Sequence, residues 1–335
     1  MKKTRFPIFL IFAVAFILNA CNGINTDSQY IKGLSIDNYP VVDGSTSTLP
    51  LNNVIACELL GIKYDWQETL IDRSSSMWAI EPKVKGNLKK KLEKRVLSNQ
   101  THGSIMNLID NKVDITLSAR KMSPDERAYA ESKGVTLIET PIALDAFVFI
   151  VSADNPVKNL STQNIRDIYT GKITNWIDLD PEVETKPSNP EVYPESAKIR
   201  PYIRNKNSGS QELMDELIMK DLEYIDLPIY QEQLIFTMAG LLDAIGRDVN
   251  AIGYTVLYYN DFIIRPHEDF LKKIAIDGVA PTKEAITKHT YPYTIEVYAS
   301  IRSDLDQSSM AYKVYEWLQT PKGKEIIAKS GYIPN

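Results

Sequence analysis

Three short turns in this sequence are dense in hydroxyls, and each leads into a helix-like stretch. They are "GSTSTLP" at 44–50, "NQTHGS" at 99–104 and "NKNSGSQ" at 205–211. A helix N-terminus carries unsatisfied N–H groups and a partial positive charge. It can therefore hold an anion, and Ser and Thr hydroxyls add short hydrogen bonds. One such turn is accounted for by capping alone: Ser208 with Gln211 three residues on fits a capping box. Three of them converging on one point would replace the hydration shell of a tetrahedral oxyanion. Arg204, four residues before Ser208, would add a charge-assisted, bidentate contact. From the residues alone, "RNKNSGS" reads either as a cap or as half of an anion socket.

Other chemistry has less support. Asp114 and Asp145 are candidate catalytic carboxylates, but Asp114 stands at a strand start and Asp145 near a crossover, where a structural role explains each. His102, His267 and His289 show no metal-ligand spacing. There is no Gly-x-Ser-x-Gly elbow and no His-Glu-x-x-His, so an extracellular phosphatase or esterase is the weaker reading. No cofactor and no metal are expected. The 335 residues are 44% hydrophobic and 24% charged, ordinary for a globular chain and long enough for two domains. A net charge of -5 gives no sign of the basic stripe that nucleic acid requires. The eighteen tyrosines and Trp176 read as core or cleft wall rather than as a platform for bases.

The N-terminus begins with Lys2, Lys3 and Arg5, continues through an apolar run at 6–18, and reaches Cys21. This is the pattern of a signal peptide over 1–20, too short to span a bilayer as a finished helix. Leu18-Asn19-Ala20-Cys21 resembles the lipobox of bacterial lipoproteins, with Asn19 a departure from its usual small or apolar residue. The resemblance implies a lipid on Cys21, a tether over 21–34, and an exported lipoprotein on the periplasmic or cell-surface side of a bacterial membrane. Cys57 then has no partner and reads as a buried small hydrophobe.

The elements that must carry these turns alternate between strand and helix. Thr48 is a candidate N-cap with Pro50 in the first turn. "VKGNLKKKLEKRVLSNQ" reads as a charged surface helix, and "GSIMNLIDNKVDITLSARKM" as a helix leading into a strand over 113–118. "LIETPIALDAFVFIVSADNPV" contains a long β-branched and aromatic strand. "LSTQNIRDIYTGKITNW" reads as a capped helix stopping at Gly171. Four prolines mark 177–198 as a loop. "IRPYIRN", "AGLLDAIGRDVNAIGYTVLYY", "YPYTIEVYASI" and the C-terminal helices complete the series. The expectation is α/β, with mainly parallel sheets covered on both faces.

Several of these motifs, in this order, resemble the phosphate-binding proteins of bacterial ABC transporters, a branch of the type II periplasmic binding proteins. The likeness runs from about 40 to 332. "GSTSTLP" resembles the family's first anion loop. "NKVDITLSAR" resembles its Val-Asp-Ile-Gly strand and the Ser-Arg that follows. "DAFVFIVSADNPVKNLSTQNIRDIYTGKITNW" is the strongest match, and "RNKNSGS" repeats the spacing of its Arg and Ser-Gly-Thr loop. The resemblance implies two lobes, 35–143 with 292–335 and 144–291, joined by two crossovers that act as a hinge. It implies a monomer that captures phosphate or a similar oxyanion between the lobes and passes it to an ABC permease. The ligand-binding residues implied are Ser47, Thr48, Leu49, Thr101, Ser104, Ser118, Arg120, Arg204, Ser208, Gly209 and Ser210. Ala119 stands where well-studied members have a carboxylate that accepts the phosphate's proton, and Lys206 where some relatives have an acid. About twenty extra residues, 73–95, precede the second turn. A different oxyanion, a small organic anion, or a surface module without transport are the alternatives.

Overall fold

The run "LIETPIALDAFVFIVS" forms one strand, Leu137–Ser152, and organises the whole molecule. Every residue from Ile142 onward is buried, as its near-continuous apolar sequence requires of a strand covered on both faces. The first part of this strand pairs with Thr294–Arg302 and Ile333–Pro334. The second part pairs with Ala251–Val256 and Leu271–Lys273. The exchange of partners falls between Ala146 and Phe147. There the aromatic side chains of Phe147, Phe149 and Tyr254 pack, with Phe147 centroids 5.4 Å from each of the other two.

The computed structural model describes residues 26–70, 76–179, 198–225, 234–235, 238–265 and 269–335. The residues read as a signal peptide, Cys21, the start of the expected tether, His267 and most of the proline-rich loop lie outside the described residues. None of the described helices is long and apolar enough to cross a membrane. Cys57 is free and buried, and burial pushes its thiol up to about 12.

The sheet runs in the order Val42–Gly44, Ile115–Ser118, Thr294–Arg302, Leu137–Ser152, Ala251–Val256, Arg200–Pro201. Helices flank it, as expected of the fold class, but the sheet is mixed rather than mainly parallel. Val42–Gly44 with Ile115–Ser118, and Ala251–Val256 with Arg200–Pro201, are parallel. Each pairing of Leu137–Ser152 is antiparallel, and so is Thr294–Arg302 with Ile115–Ser118. The physical reason is the route of the chain. Helix-linked strands return in the same sense, but the two segments that cross the middle of the molecule run past each other in opposite directions.

The extra segment supplies the second strand of an element not expected from the sequence. Tyr64–Leu70 and Ser76–Pro82 form an antiparallel hairpin outside the main sheet. The charged surface helix follows at Gly86–Glu93.

Candidate anion-binding site

The first turn is built by strand Val42–Gly44. Gly44 leaves no room for a side chain: a Cβ there would lie 2.6 Å from Thr48 Oγ1 and 2.7 Å from the Leu117 carbonyl oxygen. Thr48 is fully buried, and its hydroxyl lies 2.9 Å from the Leu117 carbonyl and 3.1 Å from that of Ser45. It therefore ties the turn to the neighbouring strand and does not cap helix Leu49–Leu59. Ser45 and Ser47 face each other, Oγ to Oγ, at 3.0 Å. Tyr332 donates to the Ser47 carbonyl at 3.1 Å.

Asp43 joins this turn to the second. Its Oδ1 accepts from the amides of Gly44 (2.8 Å) and Asn99 (2.9 Å). Its Oδ2 accepts from the side chains of Asn99 (2.8 Å) and Asn107 (3.0 Å). Helix Gln100–Ile109 starts at Gln100 with φ of 60°, a left-handed backbone that bulky residues adopt only where the surroundings impose it. Thr101 lines the cavity. Ser104 does not: its hydroxyl donates to the Thr101 carbonyl at 2.9 Å.

Strand Ile115–Ser118 ends in Ser118, whose hydroxyl donates to the Arg120 carbonyl at 2.7 Å. Arg120 itself is buried and held in a fork by Glu126, Nη1 to Oε2 at 2.8 Å and Nη2 to Oε1 at 2.9 Å. Its Nε is buried without a hydrogen-bond partner among the described residues. Glu126 also closes a capping box with Ser123 on helix Pro124–Ser132 and lies 2.9 Å from His102 Nδ1. Burial pushes the Glu126 carboxyl up. The bonds and charge of Arg120, the Ser123 amide and His102 outweigh this, and the net pKa falls below the ordinary range.

The third turn carries Arg204 on strand Ile203–Arg204. Arg204 is 7% exposed, with Nη1 3.4 Å from Ser210 Oγ. Burial lowers its pKa, and the phenols of Tyr254 and Tyr259 act the other way. An arginine in such a place keeps its charge. Behind it, Gln211 Oε1 accepts from the Arg204 amide at 2.9 Å and from the Tyr254 hydroxyl. Gln211 Nε2 donates to Asp215 (2.9 Å) and Tyr224 (2.8 Å). Ser208 caps helix Gly209–Leu213 by accepting from the Gln211 amide at 3.3 Å. The box is not reciprocal, because the Gln211 side chain serves Arg204 instead. Gly209 presses against the second turn: a Cβ there would lie 2.5 Å from Thr101 Oγ1.

These groups surround one cavity of about 210 Å³. Of the residues expected from the sequence, it is lined by Ser47, Thr101, Arg120, Arg204, Ser208, Gly209 and Ser210. Thr48, Leu49, Ser104 and Ser118 are not among the lining residues. Ser45, Thr46, Gln100, Ala119 and Tyr259 also line it, and the described lining contains no acidic residue. Ser45 and Thr46 could have been inferred from the same hydroxyl-rich motif; Tyr259 carried no local signal. Burial pushes the Tyr259 phenol up to about 12, so it stands there as a neutral donor. Asp114 and Asp145 are outside the cavity. Asp114 accepts the Val41 amide at 2.7 Å, and Asp145 accepts the amides of Ala146 (2.8 Å) and Tyr258 (3.0 Å).

A mixed α/β framework threaded twice by the chain, with a cavity lined by residues from both of its parts, is the architecture of a type II periplasmic binding protein. Residues 83–322 match the family model described as a PBP superfamily domain, and the chain belongs to that family. Phosphate-binding protein PstS 2 of Streptococcus agalactiae is 32% identical over 149 residues, 44% of this chain and 47% of that protein. That match thus spans about half the relative's length. Phosphate-binding protein PstS of Staphylococcus epidermidis is 22% identical across 99% of this chain and 89% of its own length. Among solved structures, a substrate-binding protein assigned to a phosphate ABC transporter of Clostridium perfringens, solved with bound phosphate, aligns with a TM-score of 0.60 and 22% identity. The alignment covers 88% of this chain and 98% of that one. An ABC-type phosphate transport receptor of Vibrio cholerae aligns with a TM-score of 0.57 and 19% identity, covering 87% and 98%.

Proposed function

We propose that this protein captures phosphate or a similar oxyanion outside the cytoplasm and delivers it to an ABC permease. The observation that carries the proposal is the convergence of three hydroxyl-bearing turns with buried Arg204 and Arg120 on one cavity. Hydroxyl and amide donors there replace water around an anion, Arg204 compensates its charge, and Arg120, whose own charge is paired with Glu126, adds a donor in its Nε. Relatives named as phosphate-binding proteins support the choice of ligand. The action is capture without turnover, by a monomer and without a cofactor.

The lobes are 35–143 with 292–335, and 144–291. The exchange of strand partners between Ala146 and Phe147 supports a hinge there, and closure about it buries the ligand. A signal peptide over 1–20, lipid on Cys21 and a tether over 21–34 hold the protein at the membrane.

Within the oxyanions, Ala119 in the lining favours a modest preference for phosphate over sulfate. A buried carboxylate acceptor would reject sulfate, which has no proton to donate at neutral pH, and the described lining has none. Calorimetry on ligand-stripped protein with phosphate, sulfate and tungstate tests this. Phosphate should bind tightest. Equal binding of phosphate and sulfate would make the protein a general oxyanion receptor, and no binding of any would point to an organic anion.

A further inference from the structure

The hairpin of strands Tyr64–Leu70 and Ser76–Pro82 has two unlike faces. Its register sets Trp66 opposite Ile80 and Glu68 opposite Trp78. Opposed residues, and residues two apart, share a face of the ribbon. Trp66, Glu68, Trp78 and Ile80 therefore stand together, while Asp65, Gln67 and Glu81 occupy the other side. Ile80 is buried and both indoles are half-buried.

What covers the aromatic face is Arg265. Its guanidinium carbon lies 4.1 Å from the Trp78 ring centroid and 5.1 Å from that of Trp66. Burial lowers the pKa of Arg265, and the Tyr258 phenol and Glu68 carboxylate oppose that. The backbone there is left-handed, φ 47°, and the side-chain Nε donates to the Phe262 carbonyl at 3.1 Å. A non-glycine residue keeps such a conformation when its surroundings over-determine it.

Arg265 ends a π-helical turn, Tyr259–Ile264, that follows strand Ala251–Val256. The turn begins with Tyr259, which lines the anion cavity. The hairpin instead follows helix Leu49–Leu59, which the first anion turn leads into. The Trp66–Arg265–Trp78 contact therefore joins the two sides of the cleft at a point away from the anion.

We propose that Trp66, Trp78 and Arg265 are positioning residues: a clasp that holds the wall bearing Tyr259 and keeps the cleft shut, so that it sets how fast the bound anion leaves. This rests on the anion-binding reading above. Opening the cleft withdraws the cation from two ring faces. Partly desolvated cation–π contacts of this kind correspond to roughly tenfold faster release when they are lost.

Stopped-flow measurement with inorganic phosphate tests the clasp on the wild-type protein and on Arg265→Ala, Arg265→Lys, Trp78→Ala and the Arg265→Ala/Trp78→Ala pair. Release should quicken about tenfold in each alanine variant, with the association rate little changed. Arg265→Lys should fall between. The double variant should release no faster than Arg265→Ala alone, because that single change already removes the cation from both rings. Wild-type binding with unchanged release in the alanine variants would overturn the clasp and leave the anion site standing. If the wild-type protein binds no phosphate, the binding reading fails, and anion-free small-angle scattering decides the clasp by itself. A larger radius of gyration in Arg265→Ala supports it, and an unchanged radius overturns it.

Discussion

Replacing Gly209 by alanine separates a binding role from a folding role at the third turn. Gly209 opens helix Gly209–Leu213, and its backbone is not left-handed, so alanine is tolerated locally. Alanine is also the better helix former, which favours the folded chain by a few tenths of a kcal/mol or more. The cost arises only across the cleft. The new Cβ would lie 2.5 Å from Thr101 Oγ1, where ordinary contact begins near 3.4 Å. The walls must part by the difference, 0.9 Å, or Thr101 must leave its place in the cavity lining. Overpacking of this size costs about 1–3 kcal/mol, which weakens anion binding about 5- to 150-fold. Calorimetry with inorganic phosphate should therefore show a raised Kd for Gly209→Ala, with the anion-free melting temperature unchanged or slightly higher. Adding Thr101→Ala relieves the clash, so the double variant should bind no worse than Thr101→Ala alone. An unchanged Kd for Gly209→Ala would refute the closed arrangement of the two turns. So would a fall in anion-free melting temperature that accounts for all the loss.

Arg204→Ala should weaken phosphate binding by about 2–5 kcal/mol, because the buried anion loses a charged partner, and Ser210→Ala by about 1–3 kcal/mol. Lowered melting temperatures with unchanged Kd values would leave Arg204 and Ser210 a purely structural role. Asp145 is fully buried, and burial pushes its carboxyl up to about 7 from an ordinary 3.8. Between those values the folded chain keeps a proton that the unfolded chain has lost. Its contribution is thus present below the ordinary carboxylate range and is lost as pH rises towards 7. Asp145→Asn keeps an acceptor for the Ala146 and Tyr258 amides, so the gap between urea stabilities at pH 5 and pH 8 should shrink; an unaltered gap would contradict this. Cys21→Ser should release the protein from the membrane fraction, and retention there would exclude the lipid anchor.

How much of this was legible follows from how local each signal is. The long central strand announced itself because burial on both faces demands an unbroken apolar run, and "ALDAFVFIVS" is one. The hydroxyl turns were visible for the same reason, since a cap, a glycine and a following helix lie within a few residues. Direction was not visible. Whether Thr48, Ser104 and Ser118 turn towards the cavity depends on carbonyls at Leu117, Thr101 and Arg120, and the structure commits each hydroxyl to one of them. Asp43 was overlooked because its partners, Asn99 and Asn107, stand 56 and 64 residues away. Glu126 is readable as half of a capping box with Ser123, but nothing in that pattern says that its carboxylate also fixes Arg120. The hairpin escaped notice although "YDWQETL" and "SMWAIEP" each alternate, because the residue that justifies its aromatic face, Arg265, arrives nearly two hundred positions later.

The two readings of "RNKNSGS", cap and socket, are compatible because of the number of bonds a hydroxyl can make. A serine oxygen accepts through its lone pairs and still has its own proton to give. Ser208 spends an acceptor site on the Gln211 amide and lines the cavity at the same time. The capping bond fixes where the hydroxyl stands, which is what an anion site needs of it, since a donor already held in place loses little freedom on binding. Gln211, freed from completing the box, braces the Arg204 amide from behind. Capping is thus the means by which this turn becomes a rigid wall, and the arginine four residues earlier gives that wall its charge.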